Sequence, residues 1–136
     1  MATTEAELQA ALMTRLATLT TSPTLTVVYR ERRGELPAGP YVMVDYMPND
    51  PERIALQGSE PLRHTGILQL MVARPLGLYD VAYRETAATV AAHFARDARL
   101  TNGSSTVAIL KTTVGQGRAD GEHWAIPVSI YWRSEL

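Results

Sequence analysis

The chain has 136 residues, of which 46% are hydrophobic and 20% are charged, and its formal net charge is −1. This length suits a single domain that buries its own core, and the near-neutral charge argues against a dedicated polyanion-binding protein. Because the sequence has no cysteine, disulfides and thiolate metal sites are excluded. No run approaches the ~18 apolar residues of a membrane span. We therefore expect one soluble domain over residues 1–136, made in a cytoplasm.

The N-terminal segment has the pattern of an amphipathic helix. Thr4 and Glu7 have the spacing of a capping box. One apolar stripe at helical spacing is formed by Leu8, Leu12, Leu16 and Leu19. The pair Ser22-Pro23 predicts that the helix has ended by that point.

Two strands are predicted next, and a charged loop joins them. Residues 25–30 and 41–47 are rich in β-branched and aromatic side chains, which favours strands. Arg30, Arg32 and Arg33 fall in or beside the loop. They are interpreted either as solvated side chains or as members of an ion-pair network between subunits.

The middle of the chain contains a long polar segment, a strand and a helix. Residues 48–63 are long for a loop, and loops of this length are usually functional or disordered. Residues 65–73 predict a third strand. Asp80 is a suitable N-cap for a second helix that extends to about Ala98.

The C-terminal part predicts two more strands, at 106–114 and 123–133, joined by the glycine-rich loop 115–121. The element order is therefore α-β-β-β-α-β-β. This order predicts an α+β fold with a mixed or antiparallel sheet of about five strands and two helices.

Apolar side chains occupy both faces of the predicted sheet. Successive residues of a strand point to opposite faces, and one face is provided by alternate residues of the last strand, Trp124, Ile126, Val128, Ile130 and Trp132. Two helices cover about one face of such a sheet. Apolar residues nevertheless remain for the second face, and the candidates for a subunit interface there are Met43, Ile67, Met71 and Ile109. Either the sheet curls and covers this face itself, or the face is an interface between subunits. Pro127, in the outward phase, predicts an edge or a bulge because proline cannot donate to the ladder.

No arrangement of residues predicts catalysis. His64, His93 and His123 are about thirty residues apart and lack the spacing of metal ligands. Asp45 is interpreted either as a buried partner of an arginine or as a carboxylate facing water. The glycines of loop 115–121 miss the GxGxxG spacing and precede a strand instead of a helix, so no phosphate site is expected. We therefore expect no enzyme, metal or cofactor.

Three segments resemble a known protein family. They are residues 63–76 (RHTGILQLMVARPL), the small-residue helix 86–95 ending in Phe94, and residues 124–132 (WAIPVSIYW). These are similar to siphophage tail terminators, a family of short phage proteins like the lambda U protein. The resemblance covers most of the chain, best at 63–132 and weakly at 1–30, and its motifs are structural and not catalytic.

The resemblance implies a structural subunit of the virion, placed at the head-proximal end of the tail. It implies a homohexameric ring that caps the tail tube, stops its polymerisation and offers a surface to the head-completion (connector) protein. DNA would be present only as cargo passing through the ring, and no membrane would be involved. By analogy, loops 48–63 and 115–121 would dock the partners, with the candidate residues Arg53, Arg63, Gln116, Arg118 and Asp120. The alternatives are another head–tail connector or minor tail protein, and a small-ligand-binding α+β domain.

Overall fold

The computed structural model describes residues 4–21, 24–30, 37–49, 52–53, 62–103 and 105–134. Within these residues the chain forms two helices, α1 (Thr4–Ala17) and α2 (Asp80–His93). The described strands are β1 (Thr26–Tyr29), β2 (Tyr41–Pro48), β3 (Glu52–Arg53), β4 (Leu62–Arg63), β5 (Thr65–Pro75), β6 (Arg99–Asn102), β7 (Ser105–Val114), β8 (Arg118–Asp120) and β9 (His123–Ser134).

The main sheet has the strand order β1-β2-β5-β9-β7-β6, and β8 pairs with β9 beyond the end of β7. The β1–β2 pair is parallel and the other pairs are antiparallel. A separate pair, β3–β4, forms a two-stranded sheet. The predicted α+β class with a mixed sheet is confirmed, and the five predicted strands correspond to β1, β2, β5, β7 and β9.

The number of strands is higher than the sequence predicted. The additional strands β3, β4, β6 and β8 have only two to four residues each, which is too short for an alternating pattern to be recognised. The second helix also ends earlier than predicted, at His93 instead of about Ala98. Asp97 adopts a φ of 68°, in the left-handed region, and its N–H donates to the carbonyl of Ile109, so the chain turns there to enter β6.

Both helices pack on one face of the sheet, here called the inner face. The hydrophobic core lies between the helices and this face. The predicted leucine stripe of α1 and the alternate residues of the central strands are buried together, among them Leu8, Leu12, Leu16, Leu68, Leu70, Ile126, Val128 and Ile130. Trp132 is fully buried and Tyr46 stacks on it, with ring centroids 5.7 Å apart. Each fully buried side chain of this size contributes about 1.5–3 kcal/mol relative to exposure, so this face is the main source of stability.

A β-bulge in β7 changes which residues face the core. The register with β9 shifts between Ile109 and Lys111, so the extra residue, Leu110, turns outward and is 43% exposed. A bulge reverses which alternate residues of a strand face the core on its two sides. Before the bulge Val107 and Ile109 face the helices, and after it Thr112 and Val114 do. Ile109 is only 1% exposed, so its expected place on the uncovered face is wrong.

Pro127 lies in a central strand and not at an edge, because β9 pairs with β5 on one side and with β7 and β8 on the other. The irregularity predicted there lies in the neighbouring segment of the same chain, residues 115–117, which connects β7 to β8. Gly115 donates its N–H to the Pro127 carbonyl at 2.8 Å, but proline has no N–H with which to complete the pair. Arg84 Nη2 donates to the Gly115 carbonyl at 3.1 Å instead, so an arginine from α2 replaces the missing ladder bond.

Candidate interaction surface

The face of the sheet opposite the helices is here called the outer face. The register of the strand pairs places its candidate residues in rows across the sheet. Met43 is directly opposite Met71, which is directly opposite Pro127. The rows on either side of this one are Tyr41–Ala73–Ala125 and Asp45–Gln69–Ser129, and beyond the second lies Met47–Ile67–Tyr131. Residues opposite one another in a ladder share a face, so Met43, Ile67 and Met71 lie on the outer face as predicted.

The chain covers one end of the outer face itself. Tyr41, Ala73 and Ala125 are buried in a small second cluster. The His123 ring meets the Tyr41 ring edge-on, with centroids 5.0 Å apart, and His123 Nε2 lies 3.0 Å from the Gly39 carbonyl. This contact requires a proton on Nε2, since a carbonyl only accepts. His123 of β9 therefore connects this strand to the segment that precedes β2.

The middle of the outer face is left half-exposed. Val28, Met43 and Met71 pack against the covered cluster but are only partly buried, and Met47 is 36% exposed. The self-covering alternative therefore describes the end near Tyr41, and the subunit-interface alternative stays a prediction for the rest of the face. Among the described residues, the end near Tyr41 is covered, whereas the rows Met43–Met71–Pro127 and Met47–Ile67–Tyr131, called here the methionine rows, are only partly covered.

A concave pocket of about 320 Å³ opens over these methionines. It is called here the methionine pocket and is lined by Arg30, Met43, Asp45, Gln69, Met71, Arg118 and Asp120. β8 is four strand positions from β1, roughly 19 Å in a flat sheet at ~4.8 Å per strand. The sheet therefore curls toward its outer face, and long arginine side chains close the remaining distance. The pocket unites residues that the sequence had assigned to two separate surfaces.

The rim of the methionine pocket carries both signs of charge. Arg30 Nη1 donates to Asp45 Oδ2 at 2.6 Å, so Asp45 is the partner of an arginine, as one of its two interpretations stated, although it is only partly buried. The pair is partly solvent-exposed, and such pairs stabilise a fold by about 0–1 kcal/mol. Its main effect is to hold Arg30 at the rim. In the described part of the chain, Arg118 and Asp120 form no ion pair.

A second exposed surface, which the sequence reasoning missed, lies in the turn between β5 and α2. It is called here the apolar turn and consists of Leu76, Leu78, Tyr79 and Val81, which are 51%, 48%, 86% and 64% exposed. The available signal was a run of large apolar residues inside a predicted turn. Apolar patches of a few hundred Å² on one chain commonly mark interaction sites.

Hydrogen bonds hold the backbone of the apolar turn in one conformation. The Tyr83 hydroxyl accepts from the Leu78 N–H at 3.1 Å and donates to the Pro75 carbonyl at 2.8 Å. The Leu76 N–H donates to the Glu122 carbonyl at 3.0 Å. The exposed side chains are therefore presented by an ordered turn.

Asp80 connects the apolar turn to the hairpin β8–β9. Tyr79 is the N-cap of α2, without a side-chain cap bond, so the predicted capping role of Asp80 is wrong. The Asp80 carboxylate instead accepts from Trp124 Nε1 at 3.0 Å and from Arg84 Nε at 2.9 Å. These three residues line an open groove with the exposed Gln116.

The other predicted site residues lie on the outer face, in β3 or β4, or outside the described residues. Ile67 is partly buried on the outer face, and Arg63 is partly buried in β4. Arg53 pairs with Leu62 in the β3–β4 ladder, and its side chain lies outside the described residues. Arg32 and Arg33, with most of loop 48–63, also lie outside them. Three of the seven residues of the predicted loop 115–121 form the strand β8.

The histidines join structural elements. His93 Nε2 lies 2.8 Å from the Arg15 carbonyl and 2.9 Å from Thr18 Oγ1, and Arg15 Nε donates to the His93 carbonyl. These bonds clamp the C-terminal ends of the two helices together. Among the residues that the structure describes, no three or more His, Asp or Glu side chains are grouped so that they could hold a metal ion. In the same residues, neither helix has the length and apolar character needed to traverse a bilayer.

Comparison with known proteins gives one family. The family model described as "Phage tail terminator protein" matches residues 7–132. A solved protein structure has the same fold, with a TM-score of 0.72 and 19% sequence identity, over 94% of this chain and 96% of that chain. At this identity the structural match shows the fold alone. No curated protein sequence matches the chain.

Proposed function

The chain belongs to the phage tail terminator family, and from this premise we propose that it forms a homohexameric ring at the head-proximal end of the tail. The family is one of structural proteins of the phage tail. In our proposal the ring caps the tail tube, stops its polymerisation and presents a surface to the head-completion protein. The subunit is assembled in the host cytoplasm and becomes part of the virion.

The observation that carries the proposal is the half-exposed outer face. The two helices cover only the inner face, and the methionine rows beside the covered cluster remain open. Protein interfaces are enriched in methionine and arginine, with an apolar centre and a polar rim. Met43 and Met71 at the floor of the pocket, with Arg30 and Arg118 at its rim, have this arrangement. A neighbouring copy in a ring would cover it.

The charge of the subunit fits a ring through which DNA passes. A strongly basic surface would bind phosphates tightly and release counterions, which opposes sliding. The formal net charge of −1 avoids this. DNA is therefore proposed as cargo in the lumen and not as a bound ligand.

The size of the purified protein tests the ring. Native mass spectrometry and light scattering over a range of concentrations should show a species of six times the 14.9 kDa chain mass. Added to growing tail tubes, the protein should stop elongation and remain at one end. A monomer at every concentration that also fails to attach to tubes would contradict the proposal.

A partner assay separates this function from that of another head–tail connector. The proposed terminator binds the tube protein and then the head-completion protein. Binding to a head-side adaptor without any binding to the tube would assign the chain to the connector role instead.

A further inference from the structure

We infer that the apolar turn of one copy packs into the methionine pocket of the next copy around the ring. The inference rests on the proposed function, because it presupposes a ring of identical chains. It names the two surfaces that meet, and it therefore predicts that the contact between subunits is heterologous.

Ring geometry requires two different surfaces on each chain. A closed ring of more than two copies is built head to tail, so that one surface of each subunit meets a different surface of its neighbour. The methionine pocket lies on the outer face of the sheet. The apolar turn lies at the end of β5 and leads into α2, which packs on the inner face. The two surfaces therefore consist of different residues in different parts of the fold, as a head-to-tail contact needs.

The two surfaces are complementary in shape. The turn exposes large apolar side chains, and Tyr79 is the most exposed of them, at 86%. The pocket is concave, and its 320 Å³ corresponds to the liquid volume of about ten water molecules, which is room for an aromatic ring. Met43 and Met71 at the floor have unbranched, flexible side chains that adapt to an incoming group.

Charge gives the contact an orientation. Beside the apolar turn, Asp80 and Arg84 pair with each other, which leaves two exposed carboxylates, Glu85 and Glu122, next to the turn. On the pocket rim, Arg30 is already paired with Asp45, while Arg118 and Asp120 form no ion pair among the described residues, so Arg118 is the arginine that can meet a carboxylate of the partner. Charges at an interface rim determine specificity and register more than affinity.

A second copy accounts for both exposed surfaces at once. A tube or head protein bound to the apolar turn would leave the methionine pocket open, and one bound to the pocket would leave the turn open. A repeating contact between identical chains covers both on every subunit. This is why we assign the occupant of the pocket to the chain itself.

The test uses two variants, each of which removes one surface. The turn variant is Leu78→Ser with Tyr79→Asp. Tyr79 is the N-cap of α2, where aspartate is a favoured residue, so this variant should keep its fold. The pocket variant is Met71→Glu. Ala88→Asp, on the exposed side of α2, is the control for added charge.

Each variant alone should assemble at least about 30-fold more weakly than the wild type, the effect of removing an interface residue worth ~2 kcal/mol. The control should assemble normally. An equimolar mixture should form a dimer of one turn variant and one pocket variant, and nothing larger. The turn variant keeps an intact pocket and the pocket variant keeps an intact turn, so one contact forms between them. No intact surface then remains to which a third subunit could bind. Native mass spectrometry distinguishes these species by mass.

A charge exchange gives a second test that does not depend on the fold of the pocket variant. Arg118→Glu should weaken assembly, and the addition of Glu122→Arg or Glu85→Arg to the same chain should restore it. Failure of both exchanges to restore assembly would overturn the pairing of these two surfaces.

The inference and the proposed function can fail separately. If the turn variant assembles like the wild type while Met71→Glu does not, the ring stands and the turn does not belong to it. Loss of tail attachment in that turn variant would assign the turn to the tube or head protein. Folded, monomeric variants that form no mixed dimer would also overturn the inference. A wild-type chain that never assembles would overturn both.

Discussion

The two faces of this sheet come from the same strands, yet they differ in what covers them. In β5 and β9, side chains of the inner face are fully buried beneath two helices, whereas their neighbours one residue away, around Met71, are only partly buried. Among the described residues, the inner face is fully covered, and the outer face is fully covered around Tyr41 but only partly around Met71. This difference separates residues that stabilise the subunit from the residues that we propose for assembly.

The largest expected effect compares two neighbours in β5. Leu70→Ala should lower the free energy of unfolding by about 2–5 kcal/mol, because it leaves a cavity in a closed core. Met71→Ala, one residue away on the half-exposed outer face, should cost about 1 kcal/mol. Urea unfolding of each monomer measures both. Equal losses would mean that the two faces are equally closed.

Gly66 tests how tightly the inner face is packed. A Cβ added there would lie 2.7 Å from Trp132 Cζ2 and 2.8 Å from the Met47 carbonyl oxygen. Gly66→Ala should therefore destabilise the fold by about 1–3 kcal/mol through overpacking. Gly39→Ala is the matched control, since nothing lies within 4 Å of its Cβ position. A Gly66 variant as stable as the control would show that Trp132 can move.

Met71→Glu separates folding from assembly on the outer face. If that face is intersubunit, the monomer should lose only about 1 kcal/mol, the typical cost of a point substitution, while assembly decreases strongly. Circular dichroism and thermal unfolding of the monomer, with Ala88→Glu as a control for charge, measure the first quantity. An unfolded Met71→Glu monomer would place this face inside the subunit and favour the curled, self-covering alternative.

Tyr46 is expected to give the smallest effect at neutral pH and a distinct one in alkali. Burial, followed by the nearby Glu5 carboxylate, raises the pKa of Tyr46 from 10 to about 12. The folded protein therefore retains the phenol proton that the unfolded chain loses first, so its contribution to stability is complete below pH 10 and is lost as the pH rises toward 12.

Tyr46→Phe should remove this alkaline loss, and it should change neutral stability by less than about 0.5 kcal/mol. The buried hydroxyl has no hydrogen-bond partner among the described residues, so little is lost with it. Melting temperatures of both proteins between pH 9 and 11.5 provide the comparison. Identical pH profiles for the two would contradict the assignment.

Local patterns predicted the long elements because each carries its own periodicity. The leucines of α1 repeat at helical spacing, and β9 alternates over its whole length. The motifs of residues 63–76 and 124–132 pair with each other as β5 and β9, and they indicated the family that the family model also identifies. Gly66 in the first motif is explained by the Trp132 ring of the second, which lies against it.

The errors arose where one residue depends on a distant strand. The bulge at Leu110 moved Ile109 into the core, and nothing in the sequence of β7 marks it. Of the two predictions for Pro127, an edge or a bulge, the edge was wrong, since no local signal shows that Arg84 from α2 bonds the opposite carbonyl in place of the missing N–H. The apolar turn was missed because its hydrophobic residues lie between and beside the predicted strand and helix, without a periodicity of their own.

The sequence by itself determined the α+β class, the two helices, the long strands and the family, because helical and strand periodicities and short motifs are local properties of the chain. Only the tertiary structure decided which outer-face residues are covered and which remain open. It also brought Arg118 of β8 into one pocket with Arg30 beside β1. Those contacts depend on strand order and on the curl of the sheet, which are set by packing between segments that are far apart in the chain.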